Sequence, residues 1–125
     1  MSYKKLNIWQ LARVQSIKIH KMSLELPRFE QFEEGQQIRR SAKSVRSNIV
    51  EGYGRRAYKQ EFIRYIIFAL ASNMETQDHL ETLYETGSLS NEALYNELIH
   101  DAELLGRKLG AFLDAVKEGH NRTEN

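Results

Sequence analysis

The chain has no cysteine, a single proline, and no fully apolar run longer than seven residues. Without cysteine there are no disulfides and no thiolate metal ligands, a composition that suits a reducing compartment. With proline confined to Pro27, the residue type that most firmly stops a helix is missing from nearly all of the 125 residues. The longest apolar run, Tyr65–Ala71, falls far short of the about 20 residues that a membrane span needs. Met1-Ser2-Tyr3-Lys4-Lys5 lacks the apolar segment of a signal peptide. A cytoplasmic location with no membrane partner is therefore expected. Strand-like alternation and internal repeats are also missing, which leaves long helices in one domain.

Four helices can be read from the pattern. Asn7, with Gln10 three residues later, predicts a capping box, and Ile8, Ala12, Ile19, Met22 and Leu26 line one side of the helix that Pro27 ends. A second helix is predicted over 32–51. Its seam is Ile38, Ala42, Val45 and Ile49, and Gly52 is expected as the left-handed residue after its end. The third runs from Tyr58 to Glu85, with Gly87 beyond it, and Ser90 is the expected cap of the fourth. Leu94, Leu98, Ala102, Leu105, Leu109, Phe112 and Val116 form the fourth seam. Short links between long helices favour antiparallel neighbours. The expectation is an all-α, antiparallel up-down-up-down four-helix bundle over 1–118, followed by a flexible polar tail over 119–125.

The third helix is apolar on nearly every side: between Phe62 and Ala71 only Arg64 is polar. A helix on the surface of a monomer needs a polar face. The surplus predicts self-association, with Ile63, Ile67, Phe68 and Leu70 as the expected interface.

Charge is nearly balanced overall, at +1, but is unevenly placed. Residues 39–64 hold eight Lys/Arg against two acids, whereas residues 65–125 hold four against eleven. On the second helix Arg39, Lys43 and Arg46 recur at i, i+4 and i+7 as a basic stripe. Arg55, Arg56 and Lys59 follow in the turn, with Tyr53 and Tyr58 among them as candidate stacking platforms for bases. Two functions fit such a stripe. It can hold the phosphates of RNA or DNA. Alternatively it pairs with Glu75, Asp78, Glu81 and Glu85 of another helix or subunit, in a scaffold that binds protein.

Chemistry-bearing motifs are sparse. Gly52-Tyr53-Gly54-Arg55-Arg56 lacks the spacing of a phosphate-binding loop. Glu97-Leu98-Ile99-His100 is the one Glu-x-x-His match, and Glu75 with His79 has no companion motif, so a di-metal bundle is not expected. No histidine stands in a recognisable nucleophile context. No catalytic residue, metal or cofactor is expected. Ser47, Asn48 and Glu51 are read as holding the end of the second helix. Trp9 is read as a packing anchor, and Asn73 as a buried amide that fixes helix register.

The order of features resembles the four-helix-bundle family encoded in intervening sequences of bacterial 23S rRNA genes, also called S23 ribosomal proteins. The likeness is carried by Tyr3-Lys4-Lys5-Leu6-Asn7-Ile8-Trp9-Gln10, Leu26-Pro27, Gln37-Ile38-Arg39-Arg40-Ser41-Ala42, Ser47-Asn48-Ile49-Val50-Glu51-Gly52-Tyr53-Gly54-Arg55, Glu61-Phe62, Ala71-Ser72 and Glu75. It departs from the usual pattern at Arg46, where proline is common, and at Val50, where alanine is common. The resemblance implies a homopentameric up-down bundle with no established enzymatic activity. It also implies a distant similarity to the pentameric accessory variability proteins of retroelements, which work with nucleic acid.

Overall fold

The computed structural model describes residues 2–123, with side chains described to Gly119. Four α-helices make up almost all of it: α1 (Asn7–Leu24), α2 (Glu34–Gly54), α3 (Lys59–Glu85) and α4 (Glu92–Thr123). A 3-10 turn at Tyr3–Lys5 leads into α1, and another at Arg28–Phe32 joins α1 to α2. No strand occurs among the described residues. No described helix is long and apolar enough to cross a membrane. Of the expected tail over 119–125, residues 119–123 continue the backbone of α4, and residues 124 and 125 lie outside the described residues.

The predicted seams form the core. Two apolar clusters fill the bundle, one above the other. The first gathers Trp9, Val45, Ile49, Phe62, Ile66, Leu105 and Leu109. The second gathers Ile19, Met22, Ile38, Leu80, Leu83 and Leu98. Each fully buried aliphatic side chain contributes about 1.5–3 kcal/mol by leaving water. Cross-helix contacts run in opposite numerical senses at every junction. Arg39 and Arg46 of α2 reach Ser23 and Ser16 of α1, Ser41 and Ser44 of α2 reach Thr76 and Ser72 of α3, and Asn73 and Phe62 of α3 meet Ala102 and Phe112 of α4. Up-down-up-down connectivity requires this order.

Between the two clusters lies a buried polar layer. Gln15 Nε2 donates to Asn73 Oδ1 at 3.2 Å, and Asn73 Nδ2 donates to the Ala102 carbonyl at 2.8 Å. The Ser41 and Thr76 hydroxyls bond across α2 and α3 at 2.8 Å. The register role expected of Asn73 is seen here as a three-helix link.

Three helix-end expectations are corrected. Asn7 is the first residue inside α1, and the cap position is Leu6, without a side-chain cap bond. The preceding 3-10 turn supplies the order instead, with Gln10 Nε2 donating to the Lys4 carbonyl at 2.6 Å. Ser90 does not cap α4; Asn91 does, its Oδ1 accepting from the Leu94 amide at 3.0 Å. Gly52 does not end α2 either. The helix runs on to Gly54, and the one described glycine in the left-handed region is Gly87, at φ 84°.

Gly52 serves instead as a point of close approach. A Cβ added there would stand 3.1 Å from Tyr65 Cβ and 3.4 Å from Phe62 Cδ1. The glycine lets α3 pack tightly on α2. Gly52→Leu is expected to destabilise the fold by about 1–3 kcal/mol through overpacking. Gly54→Ala meets nothing within 4 Å and should be neutral or stabilising by up to about 1 kcal/mol. Urea unfolding of the two variants tests this; equal midpoints would remove the close-approach role.

Candidate nucleic-acid interface

The basic stripe of α2 is divided by the structure into cations held in place and cations left open. Arg39 is half-buried. One guanidinium nitrogen donates to Ser23 Oγ at 3.0 Å and another to the Gln31 carbonyl at 2.7 Å. It ties the α1–α2 connection to α2. Arg46 is also half-buried. It donates to Ser16 Oγ at 3.1 Å and lies over the Trp9 ring at 5.2 Å. All of these partners are neutral, so neither charge is cancelled where it sits.

Lys43 is exposed between them, and Arg40 is exposed beside it. Neither takes part in an ion pair or a hydrogen bond among the described residues. The expected pairing of the stripe with Glu75, Asp78, Glu81 and Glu85 does not occur among the described residues of the chain. Glu75 faces His79, whose other ring nitrogen meets Glu34 at 2.7 Å.

The turn after α2 behaves differently. Arg55 is bound by Glu51 at 3.2 Å and Glu61 at 3.1 Å, and lies over the Tyr65 ring at 5.1 Å. The hydrogen bond from Arg55 to Glu51 raises its pKa further above the ordinary arginine value. Arg56 donates to the Tyr53 carbonyl at 2.9 Å and covers the Tyr53 ring at 4.1 Å. Tyr53 itself is buried, so its face is not offered to a base. Tyr58 is 71% exposed and is the turn aromatic able to stack. Lys59 is half-buried beside it at the start of α3. Arg55, the residue just after α2, stands twelve positions beyond Lys43, about 18 Å along the helix axis. The eight predicted residues therefore form two groups rather than one patch.

A groove of about 720 Å³ opens between α1 and α2. Lys43 and Arg46 line it from α2, and His20 and Lys21 from α1. Trp9, Ile17 and Val50 form much of its wall. Arg46 and Val50, the two departures from the expected family pattern, both face it. A shallower depression of about 520 Å³ lies on the other flank of Lys43, lined by Gln36, Arg39, Arg40 and Ser44. Lys43 is thus the ridge between two recesses. Arg40, Lys21 and His20 were missed from sequence. Arg40 stands at i−3 from Lys43 on a flank that Gln36 and Ser47 mark as polar, a spacing that signals it. The two α1 residues are recognisable only once the helices are placed together.

The candidate assembly residues lie on α3. Ile63 and Leu70 are half-buried against the first cluster, while Ile67 and Phe68 are 44% and 40% exposed. Met74, at 68%, extends the same outward strip.

Residues 4–111 match the sequence profile of the 23S rRNA-intervening sequence protein family. The chain belongs to that family. A crystal structure of a protein of unknown function from the S23 ribosomal protein family of Bacteroides thetaiotaomicron has the same fold. It superposes with a TM-score of 0.78 at 22% identity, covering 86% of this chain and 95% of that one. No curated protein matches. What the family shares with this chain is the helical fold.

The division of the stripe generates a contrast. Arg39→Ala removes bonds to both Ser23 and Gln31 and is expected to cost about 1–3 kcal/mol of stability. Lys43→Ala removes no described bond and should shift stability by less than about 0.5 kcal/mol. Thermal unfolding of both variants decides this. A destabilisation at Lys43 matching that at Arg39 would mean that Lys43 has a structural partner.

Proposed function

We propose that this family member is a non-enzymatic homo-oligomer that binds nucleic-acid phosphates through the α1–α2 face, centred on Lys43. The observation that carries this reading is the state of four neighbouring cations. Arg39 and Arg46 are satisfied by neutral groups, and Arg40 and Lys43 by none among the described residues, so the face keeps its positive charge. Like charges held together favour an anion, and phosphate oxygens suit both the guanidinium fork and the ammonium. Arg39 and Arg46 then act mainly by position and field, while Arg40, Lys43 and Lys21 make the contacts. Lys59 and Tyr58 form a second contact point at the far end of α2. Arg55 and Arg56 contribute less, because their donors are already engaged.

The homo-oligomer is supported by the strip of Ile67, Phe68 and Met74. A monomer would leave this apolar surface in water, and a second copy is the simplest cover. The pentamer implied by the family resemblance is the assembly we favour. The scaffold reading, in which the stripe pairs with acids of a partner subunit, is less well supported. Its arginines already have neutral partners inside the chain.

Binding to RNA or DNA should fall steeply as salt rises and discriminate little between sequences. Arg40→Glu with Lys43→Glu should weaken it by tenfold or more. The salt slope should drop by about 0.7–0.9 for each phosphate that is no longer neutralised. Fluorescence anisotropy across a salt series measures both, with light scattering on the same samples. Unchanged affinity in an intact oligomer would exclude the α1–α2 face. Separately, Ile67→Glu with Phe68→Glu should lower the assembly mass while far-ultraviolet circular dichroism stays helical. An unchanged mass would place the interface elsewhere.

A further inference from the structure

The groove between α1 and α2 has features that a phosphate track does not need. Its volume, about 720 Å³, falls among the roughly 300–1,000 Å³ sites that take small organic ligands. A surface that only follows a backbone needs cations in a row. This one has cations around an apolar recess. Ile17 is 37% exposed on its α1 side, and Val50 faces it from α2. Trp9 closes the floor, almost fully buried. Arg46 lies over the Trp9 ring and is anchored by Ser16, which presents a planar guanidinium in a fixed orientation. The one carboxylate on the rim, Glu51, is held by Arg55. Lys21 and Lys43 therefore dominate the charge at the mouth.

We propose that this groove holds one unpaired nucleotide of the bound nucleic acid. The base lies against Ile17, Val50 and the Arg46 guanidinium, and its phosphate meets Lys43 and Lys21. The proposal rests on the nucleic-acid reading above and adds what that reading leaves open, a preference for unpaired over paired strands. Apolar walls and a planar cation suit a base face, which stacks on arginine and aromatic planes. In a duplex those faces are already stacked inside, and only the backbone can reach the protein. A purely inorganic anion would gain nothing from Ile17 or Val50.

Trp9 is the only tryptophan and lines this groove, so its emission follows the groove without a signal from any other tryptophan. The intact protein is titrated with a short single-stranded RNA, its deoxy counterpart and the matching RNA duplex. Trp9 emission and anisotropy of the labelled strand are read together. Single strands are expected to change Trp9 emission and bind about tenfold more tightly than the duplex. Adenosine 5′-monophosphate should shift the same emission at higher concentration, whereas inorganic phosphate should not. A ribose preference would add a contact to the 2′-hydroxyl; equal response to both sugars leaves base and phosphate as the recognised groups, as proposed. Ile17→Glu, at an exposed position, should abolish the emission change and the strand preference together, while the helical signal is retained. Strands that bind without changing Trp9 emission, and equally well as a duplex, would overturn the groove while leaving the phosphate-binding face intact. No binding by any nucleic acid would overturn both. If Ile17→Glu fails to fold, the comparison of the monophosphate with inorganic phosphate on the unmodified protein still decides: an equal response, or none, removes the base site.

Discussion

The bundle depends on a polar layer at its waist. An apolar core of Leu, Ile and Ala allows helices to slide by a turn at little cost. Hydrogen-bonding partners inside the core do not, because each misplaced amide or hydroxyl loses its bond in a medium without water. Asn73 reaches Gln15 on one side and the Ala102 carbonyl on the other. The space for it comes from Gly106, where an added Cβ would stand 3.2 Å from Asn73 Nδ2. Gln15 Oε1 accepts no bond from the described residues. A layer that tolerates such a cost is explained better by the specificity it confers than by net stability. With register fixed at this layer, Ser16 comes opposite Arg46 and Ser23 opposite Arg39, and the cationic face follows from the same alignment.

That face is built by giving arginines neutral company. An arginine paired with a glutamate is fixed in place, but its field is largely cancelled. An arginine held by a hydroxyl, a carbonyl or an aromatic ring is fixed in place and keeps its field. Arg39 and Arg46 follow the second pattern, and Arg55 the first. The same residue type in the same sequence thus has two roles, and the difference lies entirely in the partners. Lys18 illustrates the first pattern again, its ammonium held by Asp101 and Glu97 on α4 and its pKa raised by them. That pair clips α1 to α4 and leaves no open charge for a ligand.

Much of the fold was legible in the sequence because burial imposes a 3.6-residue period, and the period is visible in the letters. Every residue of the predicted α2 seam, from Ile38 to Ile49, is fully buried. The helix ends were less legible for a physical reason. A cap depends on where the preceding chain goes, and the 3-10 turn before α1 moved the boundary past Asn7. Ser90 and Asn91 are both good caps, and only the geometry chooses between them. Glycine is ambiguous in itself, since the same absent Cβ permits a left-handed turn and a close helix contact. Gly52 uses the second, and Gly87 the first. The stripe was legible as charge but not as partners. Tyr53 looked available in the letters, whereas the structure buries it and lays Arg56 over its ring. The groove joins Trp9 to Arg46, residues far apart in sequence, and no local pattern announces it.

The two surfaces left open by the bundle do not overlap. The apolar strip of α3 consists of Ile67, Phe68 and Met74, whereas the groove is lined by α1, α2 and Tyr3 of the turn before α1, without any residue of α3. Assembly through the strip would therefore cover hydrophobic area and leave each groove facing solvent. Several copies of a weak, salt-sensitive site on one particle act together on a single strand, because after the first contact the next is intramolecular and its effective concentration is set by the spacing of the copies. A single subunit with three or four open cations would bind phosphate only feebly at physiological salt. Multiplying that face by oligomerisation raises avidity without any new side chain. On the proposed reading, the apolar excess of α3 would gather the copies and the unpaired charge of α2 would give each copy its contact.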